Sequence, residues 1–380
     1  MGAVPLARVL VCAALITGSL APPAAAKIIH VTPGQSIQAA VDRARAGDAV
    51  FVAPGTYRES GRPCPTERDH VCAVAITRDD VFLDGRGRPG SPVVLEAAPG
   101  QDDGIAVGKA ASPSCLRARS KRLHGSLISG FEVRGFSDDG VLLQCVDHWR
   151  ITRVRSVGNA EYGFFPEFTL SGRLDHSYAS GANDTGFYIG QSRDARVRHN
   201  RAVDNVSGFE IENSAGIRTD HNLATHNVVG FFSSLLPRHA VKANEGNGLD
   251  HNRAIANDRA TGCNGPTICS SLPQTGILLL AADHNRVHDN RVSANPNFGI
   301  AVVNYCEARG FTRQQCAALD IEPNADGNRI ESNRATGNGS APAGPLARLA
   351  GDLGWDGMGK GNCFTRNVAP KRTPRLPRCR

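Results

Sequence analysis

Three glutamates and three aromatic residues recur at related positions in the middle of the chain. They are Glu167, Glu210 and Glu212, with Phe165, Tyr188 and Phe232. Carboxyl groups held close together repel when ionised, which raises the pKa of one and makes it a proton donor near neutral pH. Glycoside hydrolysis uses such a carboxyl pair, and aromatic rings beside it suit a sugar ligand. We therefore predict catalytic glutamates flanked by substrate-binding aromatic side chains, with Lys242 as a fourth substrate-binding residue.

These residues share a register because glycine recurs at steps of 22 or 23 residues, with one double step of 46. The glycines are Gly140, Gly163, Gly186, Gly208, Gly230, Gly276 and Gly299. Apolar residues one and three positions after most of them give the alternation of a strand. A unit this short cannot bury an apolar face alone, so successive units must stack with their strands in parallel. The pattern predicts a parallel β-helix with Phe164, Phe187, Phe209 and Phe231 stacked inside.

Asparagine recurs fourteen and nineteen residues after the glycine, as at Asn200 and Asn205. Its side chain tolerates left-handed backbone and can bond to the same amide one coil away. We therefore expect asparagine ladders at the corners of the coils.

Strand alternation points Glu167, Tyr188, Glu210, Glu212 and Phe232 outward, to solvent, on one side of neighbouring coils. Glu167 and Glu212 stand two coils apart, which corresponds to about 9.6 Å, near the upper end of the range of inverting glycosidases. Gly190 between them is expected to leave space. Glu210 and Glu212 share a face at about 6.6 Å, so one can stay protonated.

Two other interpretations stay open. A lyase needs a base and a positive group beside a uronate carboxylate, and the candidates are Tyr188, Lys242, Arg193 and the histidines His176, His199 and His221. Alternatively, the outward acids and aromatic residues only decorate a solvated sheet face. No metal site is predicted, because stacked histidines also pack simply against asparagine and the chain has no CxxC motif.

The runs TGFYIGQS, SGFEIENS and TGILLLAADHNRVHDNRV resemble the right-handed parallel β-helix repeat proteins of the pectin-lyase-like superfamily, within a bacterial branch. The resemblance spans roughly residues 28–370 and implies an all-β, single-stranded, right-handed parallel β-helix. Residues 162–168, YGFFPEF, are similar to the YGFDPH-type motif of mannuronan epimerases. Phe165 stands where that motif has aspartate, and Glu167 where it has histidine.

Residues 1–26 have one positive charge, an apolar stretch and a small-residue end at Ala26, which predicts a secretory signal peptide cleaved near Ala26. After it, Ser36 can cap a helix that Gly47 stops, and such a helix would cover the open N-terminal end of the solenoid. We predict a β-helix domain over 27–370 and a basic tail over 371–380.

Removal of the signal peptide leaves ten cysteines, which fall into five neighbouring pairs. These are Cys64 with Cys72, Cys115 with Cys145, Cys263 with Cys269, Cys306 with Cys316, and Cys363 with Cys379. Export favours disulfides, so five local bridges are predicted.

The chain carries 43 Lys and Arg against 36 Asp and Glu, with five cations after residue 370. This surplus fits an acidic partner such as a charged polysaccharide. The sequence contains no nucleic-acid-binding motif and, after the signal, no stretch that could span a membrane. We therefore predict a secreted, monomeric protein without a cofactor that binds a polysaccharide and cleaves it as a glycoside hydrolase or a polysaccharide lyase. The alternative is a non-catalytic carbohydrate-binding or structural module.

Overall fold

Three parallel sheets form the body of the molecule, and the chain passes through each of them once per coil. The structure is a computed structural model and describes residues 26–260 and 272–380. Strands are numbered β1 to β33 in chain order. The sheets run the length of the solenoid side by side.

Sheet A has twelve strands: β1 (Ile28–Val31), β2 (Ala49–Val52), β6 (Val81–Gly85), β9 (Leu123–Ser129), β12 (Val146–Thr152), β15 (Arg173–Asp175), β18 (Arg196–Arg198), β21 (Arg218–Asp220), β24 (Gly248–Asp250), β27 (Arg286–His288), β30 (Arg329–Glu331) and β33 (Cys363–Thr365). Sheet B has ten: β3 (Gly55–Tyr57), β7 (Val93–Glu96), β10 (Phe131–Arg134), β13 (Arg155–Val157), β16 (Tyr178–Ser180), β19 (Arg201–Val203), β22 (Leu223–Thr225), β25 (Arg253–Ile255), β28 (Arg291–Ser293) and β31 (Arg334–Thr336). Sheet C has eleven: β4 (Arg62–Pro63), β5 (Val71–Ile76), β8 (Asp103–Gly108), β11 (Val141–Gln144), β14 (Phe164–Glu167), β17 (Thr185–Gly190), β20 (Ser207–Glu212), β23 (Val229–Ser234), β26 (Thr275–Leu280), β29 (Phe298–Val303) and β32 (Gly351–Trp355).

Pairing between coils is parallel, as the sequence repeat predicts. Phe164 pairs with Phe187, Phe187 with Phe209, and Phe209 with Phe231. Among the named strands of the described residues, only the short β4 runs antiparallel, against β5. It belongs to a hairpin outside the coils, so the prediction of an all-β parallel solenoid is confirmed.

The core is a column of side chains from all three sheets. The rings of Phe164, Phe187, Phe209 and Phe231 stack with centroids 4.8 to 4.9 Å apart and nearly parallel planes. Opposite them sheet B contributes small side chains, mainly Ala179, Ala202, Ala224, Ala254 and Ala335, all buried. The large rings of one wall therefore pack against the short side chains of another.

Asparagine ladders hold the corners of the coils, as expected. The residue that adopts the left-handed backbone conformation differs from the prediction. The Asn222 backbone N–H and Nδ2 both donate to Asn252 Oδ1, and Nδ2 also donates to the carbonyl of Val197. The left-handed conformation belongs to the residue before most of these asparagines, as at His221 and His251 with φ of 58° and 55°. The asparagine itself points inward, where its amide replaces backbone partners lost at the bend.

The predicted N-terminal helix is present as α1 (Ile37–Arg43). Ser36 caps it by accepting a hydrogen bond from the Ala39 N–H, and Ile37, Ala40 and Val41 are buried in the main core. The helix ends at Arg43, before the expected stop at Gly47. Its role as a cap for the solenoid stays a prediction.

Four of the five predicted disulfides are confirmed: Cys64–Cys72, Cys115–Cys145, Cys306–Cys316 and Cys363–Cys379. The predicted Cys263–Cys269 bridge and residues 1–25 of the predicted signal peptide over 1–26 lie outside the described residues. At the other end, the tail runs along the last coil, since the Thr373 N–H donates to the Leu353 carbonyl and the Phe364 N–H donates to the Pro377 carbonyl.

Insertions cover much of the outward face of sheet C. The insertion after β29 contains helices α2 (Tyr305–Arg309) and α3 (Arg313–Ala317). Short 3-10 turns lie at Pro113–Leu116, Arg119–Lys121 and Ala347–Leu349. Tyr305 and Ala308 pack with Phe232 and Leu278 in an apolar cluster on that face. At the N-terminal end the Cys64–Cys72 loop lies over Ala106 and Leu142.

Candidate active site

A cavity of about 840 Å³ opens on the outward face of sheet C between these insertions. Its floor comes from β14, β17 and β20. Its walls come from residues 236–239, which follow β23, and from the segment 305–320 with α2 and α3. The parallel register therefore fixes the floor, and irregular insertions supply the walls.

The floor carries an aromatic cluster beside its acids. Phe165 and Tyr188 stack on successive coils with ring centroids 4.7 Å apart, and Tyr162 packs at 4.4 Å from Phe165 and 5.2 Å from Tyr188. Glu167, Glu210 and Glu212 line the same cavity. The structure thus brings together five of the seven residues that the sequence predicts for catalysis and substrate binding.

The expectation that this surface faces open solvent is wrong. Tyr188, Glu210 and Glu212 point outward from the coil but are only 3, 4 and 6% exposed. The insertions cover these three side chains. The repeat register could not predict this burial, because it gives no information about segments outside the coils. The candidate site is therefore an enclosed recess with buried acids.

Phe232 and Lys242 lie outside the cavity lining. Phe232 is 1% exposed and packs in the apolar cluster under Tyr305. The Lys242 Nζ pairs with Asp320 at the surface. The alternation that points Phe232 outward is correct, but the insertion after β29 buries it.

Glu167 is held by two side-chain amides. Gln191 Nε2 donates to its Oε1 at 2.7 Å, and Gln144 Nε2 donates to its Oε2 at 3.2 Å. Burial raises the pKa of Glu167 to about 7, although both amide hydrogen bonds act against that rise. Since both its oxygens accept hydrogen bonds, Glu167 is suited to the ionised form.

Glu212 is the centre of a second set of contacts. The Tyr188 hydroxyl donates to Glu212 Oε1 at 2.8 Å, and His239 Nε2 lies 3.1 Å from the same oxygen. Burial raises the pKa of Glu212 to about 8, against the lowering effect of the Tyr188 hydrogen bond. Burial also lowers the pKa of His239, so its imidazole is neutral near pH 7 and this close contact is not an ion pair there.

Glu210 shares a proton with Glu212. Thr185 Oγ1 donates to Glu210 Oε2 at 2.6 Å, and the two glutamates are hydrogen-bonded to each other. Burial and the neighbouring carboxylates raise the pKa of Glu210 well above its usual range. The pair therefore keeps at least one transferable proton at neutral pH.

Gly190 does not leave an open gap between Glu167 and Glu212. A Cβ on Gly190 would lie 2.0 Å from the Tyr188 hydroxyl oxygen. The phenol therefore occupies the space above this glycine, in the coil between the two acids. Glycine is required there so that Tyr188 can lie flat and reach Glu212.

Sequence reasoning missed several members of the site: Gln144, Tyr162, Asp184, Gln191 and His239. The Tyr162 hydroxyl donates to Asp184 Oδ2 at 3.2 Å. Asp184 lies two residues before Gly186, so the register itself could have placed it beside the floor. His239 lies in an insertion, for which the repeat gives no position.

The histidine column exists, but at an exposed corner between sheets A and B. The rings of His176, His199, His221 and His251 follow one another at 5.0 to 5.1 Å. His221 Nδ1 bonds to Asp220 and His251 Nδ1 to Asp250. The histidines therefore pack in a column at the corner, which is the structural alternative that the sequence analysis left open beside a role in lyase chemistry.

A second acidic cluster adjoins the cavity. His70 Nδ1 lies 3.2 Å from Asp103 and 3.3 Å from both Glu67 and Asp138. Gln144 Nε2 joins this cluster to the cavity, because it donates to Glu67 as well as to Glu167. Burial raises the pKa of Asp103 to about 6. Asp138 and the buried Asp139 belong to this cluster.

We predict that Glu212→Gln makes the protein more stable at alkaline pH. The ordinary pKa of glutamate is 4.5, whereas Glu212 in the folded state keeps its proton up to about 8. Between these values the folded chain binds more protons than the unfolded chain, so the free energy of unfolding falls as pH rises. The variant lacks this loss, and its thermal midpoint at pH 8 should exceed that of the parent by roughly 3 °C or more.

Thermal unfolding followed by circular dichroism at pH 5 and pH 8 measures this difference. Glu132→Gln is the control, since Glu132 pairs with Arg134 and Arg155 at a half-buried surface position. Relative to the parent, the thermal midpoint of Glu132→Gln should be no higher at pH 8 than at pH 5. An equal effect of Glu212→Gln at both pH values would contradict the prediction.

Comparison with known proteins agrees with this architecture. The family described as right handed beta helix region matches residues 101–236. No curated protein matches the sequence. The A-module of the Azotobacter vinelandii mannuronan C-5 epimerase AlgE6 superposes with a TM-score of 0.61 at 18% identity, over 90% of this chain and 93% of that chain.

Two further solved structures are similar. The A-module of the Azotobacter vinelandii mannuronan C-5 epimerase AlgE4 gives a TM-score of 0.58 at 17% identity, over 90% of this chain and 95% of that one. The DFA-IIIase from Arthrobacter chlorophenolicus A6, in complex with GF2, gives a TM-score of 0.52 at 14% identity, over 88% of both chains. The chain therefore has a right-handed parallel β-helix fold.

Proposed function

We propose that this protein cleaves a polysaccharide in the sheet C cavity, as a glycoside hydrolase. The observation that carries the proposal is that the buried Glu210 and Glu212 and the half-buried Glu167, all with raised pKa values, lie beside Phe165 and Tyr188 in one cavity. A carboxyl group that stays protonated near neutral pH can protonate a glycosidic oxygen. The aromatic rings offer flat faces to a sugar.

The two sets of contacts suit different roles. Glu212, which shares a proton with Glu210, is the proposed proton donor. Glu167 accepts two amide hydrogen bonds and is the proposed base. Their backbones are two coils apart, Glu167 to Gly190 to Glu212, or about 9.6 Å. Inverting enzymes use a separation near this value. Tyr188 lies between the acids, and its proposed role is to orient Glu212 and contact the sugar.

A lyase is the second candidate, favoured by the cationic wall of the cavity. Arg238 and Arg309 supply the positive charge of the lining, since His239, which also lines the cavity, is neutral near pH 7. An arginine beside a uronate carboxylate would neutralise it, and β-elimination would then need a base such as Tyr188. The non-catalytic binding module of the sequence analysis is the third outcome.

The solved structures support a carbohydrate ligand at this fold, since two are named as mannuronan epimerases and one as a DFA-IIIase. We also propose that the protein is secreted. The four disulfides of the described residues support an oxidising compartment. In the described part of the chain, no helix is long and apolar enough to cross a membrane.

Incubation with a panel of neutral and uronate polysaccharides tests the proposal. A hydrolase releases reducing ends without ultraviolet absorbance, whereas a lyase also produces an unsaturated, absorbing end. We expect reducing ends alone. Binding without any product would identify the chain as a non-catalytic module, and absorbing products would identify a lyase.

A further inference from the structure

The outward face of sheet B carries a file of residues rich in arginine, in which, among the described residues, only Arg155 has an acidic partner. In β13, β16, β19, β22, β25, β28 and β31 the first residue points outward, and the register places these residues side by side on successive coils. They are Arg155, Tyr178, Arg201, Leu223, Arg253, Arg291 and Arg334. The third residue of each strand points the same way, and it is valine, serine, threonine or isoleucine. These seven strands therefore present no carboxylate to solvent.

Arg253, Arg291 and Arg334 occupy three adjacent coils, about 4.8 Å apart. All three are exposed, and within the described residues none of their side chains forms an ion pair or a hydrogen bond. Like charges directly opposite each other on a sheet are destabilising. The fold thus tolerates a repulsion that an external anion would relieve.

Sheet A shows the opposite arrangement with the same residue type. Arg173, Arg196 and Arg329 stand in one file there, and each bonds to a carboxylate. The acids are Asp175, Asp220 and Glu331, which all lie on sheet A. Neutralised arginines are therefore available to this fold one sheet away, and their absence at Arg253, Arg291 and Arg334 is a local property of that part of sheet B.

The arginine file leads into a recess at its N-terminal end. This recess has a volume of about 830 Å³ and is lined by Arg86, Arg88, Arg153 and Arg155. The acids there, Asp84 and Glu132, pair with Arg86 and Arg155 respectively, which leaves a positive balance. The Arg155 guanidinium lies 4.3 Å from the Tyr178 ring centroid and continues the file without a break.

We propose that this arginine file is a binding surface for an anionic polysaccharide, separate from the cavity on sheet C. The three consecutive guanidinium groups of Arg253, Arg291 and Arg334 match an extended polymer that bears a carboxylate or a sulfate on its sugars, since guanidinium pairs with both in a forked geometry. Single-stranded nucleic acid instead requires several aromatic rings for base stacking. Tyr178 is the one ring in the file, and Arg155 covers it.

The test compares two variants that lose the same charge. One replaces Arg253, Arg291 and Arg334 by Gln, and the control replaces Arg375, Arg378 and Arg380 of the basic tail by Gln. Fluorescence anisotropy with labelled polygalacturonate, dextran sulfate, neutral dextran and a single-stranded oligonucleotide measures binding at low and high salt. Thermal unfolding establishes that both variants are folded.

We expect the parent to bind an acidic polysaccharide and not neutral dextran, with an affinity that falls as salt rises. The sheet B variant should bind at least tenfold more weakly, with an unchanged or higher thermal midpoint. The tail variant should stay within threefold of the parent. Preference for polygalacturonate or for dextran sulfate identifies the acidic group. Equal losses in both triple variants, an unaffected sheet B variant, or binding to the oligonucleotide alone would overturn the proposal.

Discussion

Glu212→Gln and Glu167→Gln should each lower turnover a hundredfold or more on a polysaccharide that the parent cleaves. Loss of a positioned acid or base typically costs between about a hundredfold and ten-thousandfold. Glutamine keeps the volume and still accepts the Tyr188 or amide hydrogen bonds, but it cannot transfer a proton. Initial rates of reducing-end release at saturating substrate measure the effect.

Glu245→Gln is the matched control, because Glu245 is an exposed corner residue away from the cavity. It should change turnover less than twofold. The turnover of Glu210→Gln is expected to lie between that of the Glu167 and Glu212 variants and that of the control. Glu210 acts through the proton that it shares with Glu212. If all three cavity variants keep full turnover, this cavity is not the active site.

Phe209→Ala should destabilise the protein by about 3–5 kcal/mol. Its ring lies between Phe187 and Phe231 at 4.8 Å on each side. Removal leaves a void that the coils cannot close, because parallel pairing above and below fixes the spacing. Urea unfolding followed by circular dichroism gives the change in free energy of unfolding.

Leu223→Ala is the control for this truncation, since Leu223 sits on the outward face of sheet B. A cost of about 1 kcal/mol or less is expected. Similar costs at both positions would mean that the phenylalanine stack does not dominate the core.

The repeat register predicts the parts of the structure that every coil must share. Inward Phe187 and Phe209, outward Glu210 and Glu212, and the asparagine corners follow from strand alternation and from a constant coil length. Four disulfides also follow, because cysteines close in sequence within an insertion have few other partners. Strand alternation and coil length therefore suffice to predict the structure of a coil wherever both of its neighbours are copies of the same unit.

The chemistry of the site depends on residues outside the repeat. Segment 305–320 and residues 236–239 bury the glutamates, and burial is the largest cause of the raised pKa values of Glu167 and Glu212. The position of the Tyr188 ring over Gly190 is a rotamer choice that spacing alone does not fix. Insertions interrupt the register, so a sequence pattern cannot say which coil they cover.

Each ladder asparagine ties three coils together. Asn222 donates backward to Val197 and forward to Asn252 while its own Oδ1 accepts from Asn200. A coil therefore cannot separate from its neighbours without breaking amide bonds on both sides. Amide hydrogens in the middle of the solenoid should exchange with solvent in blocks that are longer than one repeat, and a pulling force should release the chain in steps of several coils.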